Sequence, residues 1–235
     1  VDKIIGAVYP LFGVMLLVGT FAIFFSLLWQ YSFSTPTMLL ETPELKKLIL
    51  GFREDNPILP VLFVTIACGI LSGFHATQSP IIARTMASER QARSSFYGMM
   101  VVEGIIAMIW AAAGFAIYNL FPAMFRDNPT QVLVEITKYF HGGWMGVLTI
   151  LAVVILAVTS GDTAMRSLRL SLAEILGIGQ AKIHNRILLC LPLIVIISGL
   201  LWWSNMDAQS FNHLWNYFAW GNQVLASCTL IAVSV

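Results

Sequence analysis

Charge is what this chain has least of. Asp, Glu, Lys and Arg make up 11% of its 235 residues, against about 25% in soluble domains, which excludes an ordinary water-soluble fold. The charges that remain nearly cancel, to a net +1, and offer no basic surface for nucleic acid. Cysteine is confined to Cys68, Cys190 and Cys228. Each sits in an apolar run and is read as a buried thiol, not a disulfide partner or metal ligand. There is no G-x-S-x-G, H-E-x-x-H, Walker A or C-x-x-C pattern, so nothing here binds and splits ATP by a familiar loop. A hydrolase built from His75, Glu103 and Asp162 would have no identified nucleophile or metal cluster. The chain is therefore read as a non-enzyme that needs no cofactor or metal. An initiator Met and a cleavable signal peptide are also missing. The sequence stops at Val235 inside an apolar run, as a piece of a longer polypeptide would, and the missing remainder is then one of its partners.

What is abundant is apolar sequence. Mean hydropathy is +0.81, and uncharged runs of about 17 to 26 residues recur, enough for helices to cross a hydrocarbon core of roughly 30 Å. The expected fold class is an all-α, polytopic membrane helix bundle of about six spans forming one membrane domain over residues 1–235, with the lipid bilayer as its surroundings. The spans are placed at Ile4–Trp29, Ile58–Ala83, Ser95–Phe121, Trp144–Met165, Ile187–Trp203 and Leu214–Val235. With the N-terminus inside, the cytoplasmic segments carry eight of the Lys and Arg residues and the outer ones five, the bias of an inside-positive topology. That puts Arg84–Arg93 and Arg166–Arg186 in the cytoplasm and Asn56 and Asn128 outside. Trp29, Trp144, Trp202, Trp203 and Trp215 fall near the outer ends, as an aromatic belt would. Two connections, Thr42–Gly51 and Thr130–Phe140, have helical apolar spacing and read as short outer-face helices or ordinary loop helices.

Between Ile58 and Ala83 the chain has no charge, yet its second half, Ser72-Gly-Phe-His-Ala-Thr-Gln-Ser-Pro80, is polar and rich in helix breakers. Polar, irregular backbone at membrane depth is tolerated only inside protein or along a cavity, and broken helices are how many transporters build a midplane site. A departure from regular helix is expected over Ser72–Pro80. His75 lies about 13 Å from the cytoplasmic end at 1.5 Å per residue. It could exchange a proton near neutral pH or be a core histidine with one partner. Ser72, Thr77, Gln78 and Ser79 around it favour a polar cavity. Gly69 and Gly73 form a small-xxx-small packing pair.

Glu103 lies about 12 Å from the same face on the next span. A carboxylate there is costly and reads as functional, and Ala107, Ala111 and Gly114 make its face small enough to point inward. Such burial would favour a proton carrier; the alternative is a hydrogen-bonded structural Glu. In Thr159-Ser-Gly-Asp-Thr-Ala-Met-Arg166, residues Thr159, Ser160 and Gly161 are expected to loosen a helix end. Asp162 and Thr163 then offer oxygens to a cation such as sodium, or Asp162 pairs with Arg166 at i, i+4, followed by Arg169 as a snorkelling anchor. Asn222 and Gln223 are adjacent carboxamides at mid-depth in the last span, suited to substrate or to interhelical hydrogen bonds.

The wording of several motifs adds a resemblance. Ser72-Gly-Phe-His-Ala-Thr-Gln-Ser-Pro80, Glu89-Arg-Gln-Ala-Arg93, Tyr97-Gly-Met-Met-Val-Val-Glu103, Thr159-Ser-Gly-Asp-Thr-Ala-Met-Arg166 and Trp215-Asn-Tyr-Phe-Ala-Trp-Gly-Asn-Gln223 resemble the carbon starvation protein A family. The likeness runs from about Pro57 to the end; the first span and the Tyr31–Asn56 connection carry little of it. The resemblance implies a later portion of a longer inner-membrane protein made under carbon starvation. It implies uptake of peptides or of pyruvate, and a core like part of the amino acid–polyamine–organocation transporters. A secondary transporter of peptides or small carboxylates, coupled to H+ or Na+, is the resulting expectation. A membrane sensor or scaffold, or a channel, is its rival.

Overall fold

A computed structural model describes residues 2–33, 58–118, 120 and 131–234. Among these residues the secondary structure is helical throughout. In chain order the α-helices are α1 (Asp2–Phe33), α2 (Ile58–Ile70), α3 (Gly73–Thr85), α4 (Met99–Tyr118), α5 (Val132–His141), α6 (Gly143–Ile175), α7 (Ile183–Ser204) and α8 (Ala208–Ser234). A 3-10 turn (Glu89–Gln91) and a π-helical turn (Arg93–Gly98) lead into α4. Among the described residues five stretches are long and apolar enough to cross a membrane: Pro10–Gln30, Leu62–Thr85, Glu89–Tyr118, Gly143–Ile175 and Ile183–Ser204. The chain is a multi-pass membrane helix bundle. The sixth expected span is α8, whose 27 residues reach about 40 Å; Asn222 and Gln223 in its middle leave it less apolar than the other five. The Thr42–Gly51 helix and the outer positions Asn56 and Asn128 lie outside the described residues.

The chain forms two compact units, residues 1–49 with 90–160, and residues 50–89 with 161–235. In the first, α1, α4 and α5 pack on one another around Ile23, Leu27, Ala113, Ala116, Ile117 and Ile136. The amphipathic α5, the connection expected to be a short helix, buries Ile136 and Thr137 in this core. Trp110 Nε1 donates to Thr20 Oγ1 at 3.1 Å. His141 Nε2 donates to the Gly19 carbonyl at 2.9 Å, since a carbonyl can only accept. Gly19 is required by close approach: a Cβ there would lie 2.8 Å from Thr149 Oγ1 on α6. Gly142 ends α5 in the left-handed region, at φ 56°, where glycine avoids the steric cost.

In the second unit α8 packs along α2 and touches α3 and α7. Its inward stripe is Ala219, Asn222 and Ala226, spaced for one helical face. Cys228 falls off that stripe and is exposed, while Cys68 and Cys190 are half-buried. The expectation of three buried thiols is corrected to that extent.

Candidate functional site

The expected broken span is broken. Helix α2 stops at Ile70 and α3 starts at Gly73. The departure is narrower than Ser72–Pro80, being confined to Leu71 and Ser72. Ser72 is extended, at φ −70° and ψ 155°, the usual geometry of an N-cap. Its hydroxyl accepts from His75 N at 3.4 Å and lies 2.7 Å from His75 Nδ1. A helix start leaves its first N–H groups without intrahelical partners. Here Ser72 takes that of His75, and Asn222, reaching in from α8, takes that of Gly73 at 2.8 Å. The same carboxamide donates its Nδ2 to Cys68 Sγ on α2 at 3.5 Å. One buried side chain, 3% exposed, therefore ties together both halves of the broken span. A Cβ on Gly73 would meet Asn222 Oδ1 at 3.5 Å, whereas one on Gly69 would meet nothing within 4 Å. Of that small pair, only Gly73 marks the approach.

His75, Thr77, Gln78 and Ser79 all lie within α3, with His75, Thr77 and Gln78 half-buried and Ser79 exposed. Thr77 donates to the Phe74 carbonyl at 2.8 Å and Ser79 to the His75 carbonyl at 2.7 Å. Such back-bonding satisfies a hydroxyl inside a helix. Pro80, also inside α3, has no N–H to give the Ala76 carbonyl. The segment is thus a short helix with a weakened middle, held at its start by two side-chain caps. The structure brings Ser72, His75 and Asn222 together around the break, with Gln223 half-buried beside Asn222.

Thr159, Ser160 and Gly161 do not loosen a helix end. Helix α6 runs unbroken through them to Ile175, and its backbone carbonyls there are not freed for a cation. One glycine costs about 1 kcal/mol relative to Ala in a helix interior, too little to stop a helix with good formers on both sides. Thr159 Oγ1 donates to the Leu156 carbonyl at 2.8 Å, Ser160 and Thr163 are half-buried, and Asp162 takes the ion-pair alternative, with Arg166 at 3.5 Å. The boundary between the two units falls here, between residues 160 and 161.

Glu103 lies in the other unit, five residues into α4 and exposed, together with Ala107 and Ala111. The buried face of α4 is instead Ala113, Gly114, Ala116 and Ile117, because α1 and α5 cover the helix only in its second half. The expected inward face is shared only at Gly114. Sequence reasoning did not anticipate the π-helical turn over Arg93–Gly98, just before Glu103. Such turns recur at functional sites; Gly98, its last residue, was the sole hint. The same unit has an open cleft of about 410 Å³ between α1 and α4, lined by apolar residues that include Phe24, Leu28, Ile105 and Met108, with no group for a polar ligand.

Comparison with known proteins places these features. A family model described as "Carbon starvation protein CstA" matches residues 15–140 and 130–235. It begins inside α1, well before the motifs that carry the resemblance. An uncharacterised membrane protein of Haemophilus influenzae is 42% identical over 129 residues, 51% of this chain and 35% of that protein. The peptide transporter CstA of Escherichia coli is 43% identical over 77 residues, 32% of this chain and 11% of its own. The pyruvate/proton symporter BtsT of the same organism is 43% identical over 53 residues, 22% of this chain and 7% of its own. The chain thus spans about a third of the Haemophilus protein and far less of the two transporters. No solved structure matches it significantly. Matched by the family model from residue 15 to its end, the chain belongs to the carbon starvation protein CstA family.

Proposed function

We propose that this chain is part of an ion-coupled secondary transporter of the bacterial inner membrane, one that takes up peptides or a small carboxylate such as pyruvate. The observation that carries the reading is the Leu71–Ser72 break in an uncharged span, bridged by the buried Asn222. Backbone polarity placed at membrane depth and held by side chains is what a binding site there requires. Related proteins named as a peptide transporter and a pyruvate/proton symporter support the substrate classes, and support a transporter over an enzyme.

In this reading Ser72, His75, Thr77, Gln78 and Ser79 line the path beside the break, and Asn222 and Gln223 fix it or meet substrate. Glu103 carries a proton. Ser160, Asp162 and Thr163 act at the cytoplasmic side, where the Asp162–Arg166 pair could open to admit an ion. Either H+ or Na+ is the coupling ion, and Arg84–Arg93 and Arg166–Arg186 face the cytoplasm. The full-length protein in proteoliposomes, given labelled dipeptide or pyruvate under imposed proton or sodium gradients, is expected to show saturable, gradient-driven uptake. A sensor or scaffold would show none, and a channel would show flux that neither saturates nor accumulates.

A further inference from the structure

Arg169 has no counter-charge among the described residues. It sits on α6, and among those residues its Nη1 reaches the Cys190 thiol of α7, at 4.0 Å. Its Nε is buried with no hydrogen-bond partner among the described residues. A guanidinium is a cation with five fixed donors, and a thiol is a weak acceptor. Arg169 is half-buried, so its guanidinium can also take an acceptor from its surroundings.

Its depth indicates what that acceptor is. Arg169 lies beyond the apolar run of α6 that ends at Val158, six residues before the helix ends at Ile175, in the Arg166–Arg186 segment assigned to the cytoplasmic face, where a long cationic side chain reaches the head-group layer. On α7, Leu191, Ile194 and Val195, on the membrane side of Cys190, are exposed, an apolar surface for acyl chains below that layer. Lys182 and Arg186 are exposed at the start of α7, and Arg186 Nε donates to the Gln180 carbonyl at 2.7 Å. Among the described residues none of these three cations forms an ion pair; of the hairpin's two acidic residues, Asp162 pairs with Arg166 and Glu174 is exposed. The loop folds back on α6 through Ile178 N, which donates to the Ala173 carbonyl at 2.9 Å, one turn from Arg169. A lipid phosphate supplies oxygens for these cations.

We propose that the α6–α7 hairpin binds the head group of an anionic phospholipid of the phosphatidylglycerol class, with Arg169 as the principal phosphate ligand and Lys182 and Arg186 as flanking cations. Basic pockets between transmembrane helices on the cytoplasmic side recognise such head groups. Binding would fix the hairpin at the membrane surface.

The test is lipid binding by the full-length protein, delipidated in neutral detergent and titrated with phosphatidylglycerol or with phosphatidylcholine of the same acyl chains. Native mass spectrometry counts bound lipid, and thermal unfolding reports the protection it gives. Phosphatidylglycerol is expected to bind at least about tenfold tighter. Arg169→Gln should cut that preference about fivefold, and Lys182→Gln with Arg186→Gln should cut it further, at roughly fivefold per cation near the surface. Lys182 and Arg186 are exposed, so the double variant remains informative if Arg169→Gln does not fold. Equal binding of the two lipids by the parent protein would overturn the proposal, as would undiminished preference in the double variant. Protection by pyruvate or inorganic phosphate matching that of the lipid would assign Arg169 to a soluble anion and overturn it too.

Discussion

Asn222→Leu removes the clamp across the broken span while roughly keeping its volume. In the parent structure the Asn222 carboxamide accepts from Gly73 N at 2.8 Å and donates to Cys68 Sγ at 3.5 Å. The second bond is long and involves a weak acceptor, so its loss contributes little. Among the described residues the first is the only one that covers the leading N–H of α3. Leaving a buried donor unsatisfied costs about 1–3 kcal/mol, while interhelical hydrogen bonds in membranes average about 0.6 kcal/mol and reach about 1.7. The overlap of the two ranges is about 1–1.7 kcal/mol. As a local opening equilibrium this is about five- to twentyfold faster amide exchange over residues 71–76, read by hydrogen–deuterium exchange mass spectrometry on the full-length protein. Gln223→Leu, at the adjacent half-buried position, should leave those amides within about twofold of the parent. Unchanged exchange over 71–76 in Asn222→Leu would refute the reasoning. So would an equal effect in Gln223→Leu, since the break would then be held by general packing.

Other consequences test different parts of the structure. Gly19→Ala places a methyl 2.8 Å from Thr149 Oγ1 and should destabilise by about 1–3 kcal/mol, the usual cost of overpacking; Thr149→Ala in the same chain should recover most of the loss in a thermal unfolding assay. Asp207 caps α8, its Oδ1 accepting from Ser210 N at 2.6 Å, and that bond, with help from the Ser210 side chain, holds the exposed carboxyl below its ordinary pKa. Because the folded value is depressed, the stability it contributes is present above the ordinary carboxylate range and lost as pH falls through the folded value. Asp207→Asn should remove that acid-side dependence in a melting curve measured from pH 6 downward. Glu103→Gln should abolish gradient-driven accumulation while leaving substrate exchange measurable; accumulation at the parent level would make Glu103 structural.

Much of the architecture could be read in the sequence because lipid imposes so few solutions: uncharged runs must be helices, and a polar, glycine- and proline-bearing half of such a run must be held by protein. The location of the break could not be read as closely. Residues His75 to Pro80 look irregular by composition, yet they form a helix because Ser72 and Asn222 cap its start. The partner Asn222 is 149 residues away, a contact no local pattern encodes. The same error occurs at Thr159–Gly161, where local composition suggests weakness but the long apolar run on one side and good helix formers on the other carry the helix through. Glu103 shows a third limit. Small residues at helical spacing say that a face could be inward, and only the packing of α1 and α5 onto the other end of α4 says which face is. The Arg169 environment depends on a contact between α6 and α7 that leaves its Nε without a partner among the described residues.

The central claim is that substrate passes beside the polar half of the broken span. It is tested most directly by a single cysteine at position 78 of the full-length protein, with Cys68, Cys190 and Cys228 replaced by serine. A membrane-impermeant thiol reagent is applied with and without dipeptide or pyruvate. The account predicts that the cysteine is labelled from the aqueous phase and protected by saturating transported substrate. A cysteine that stays unlabelled, or is labelled at the same rate with substrate present, would contradict it.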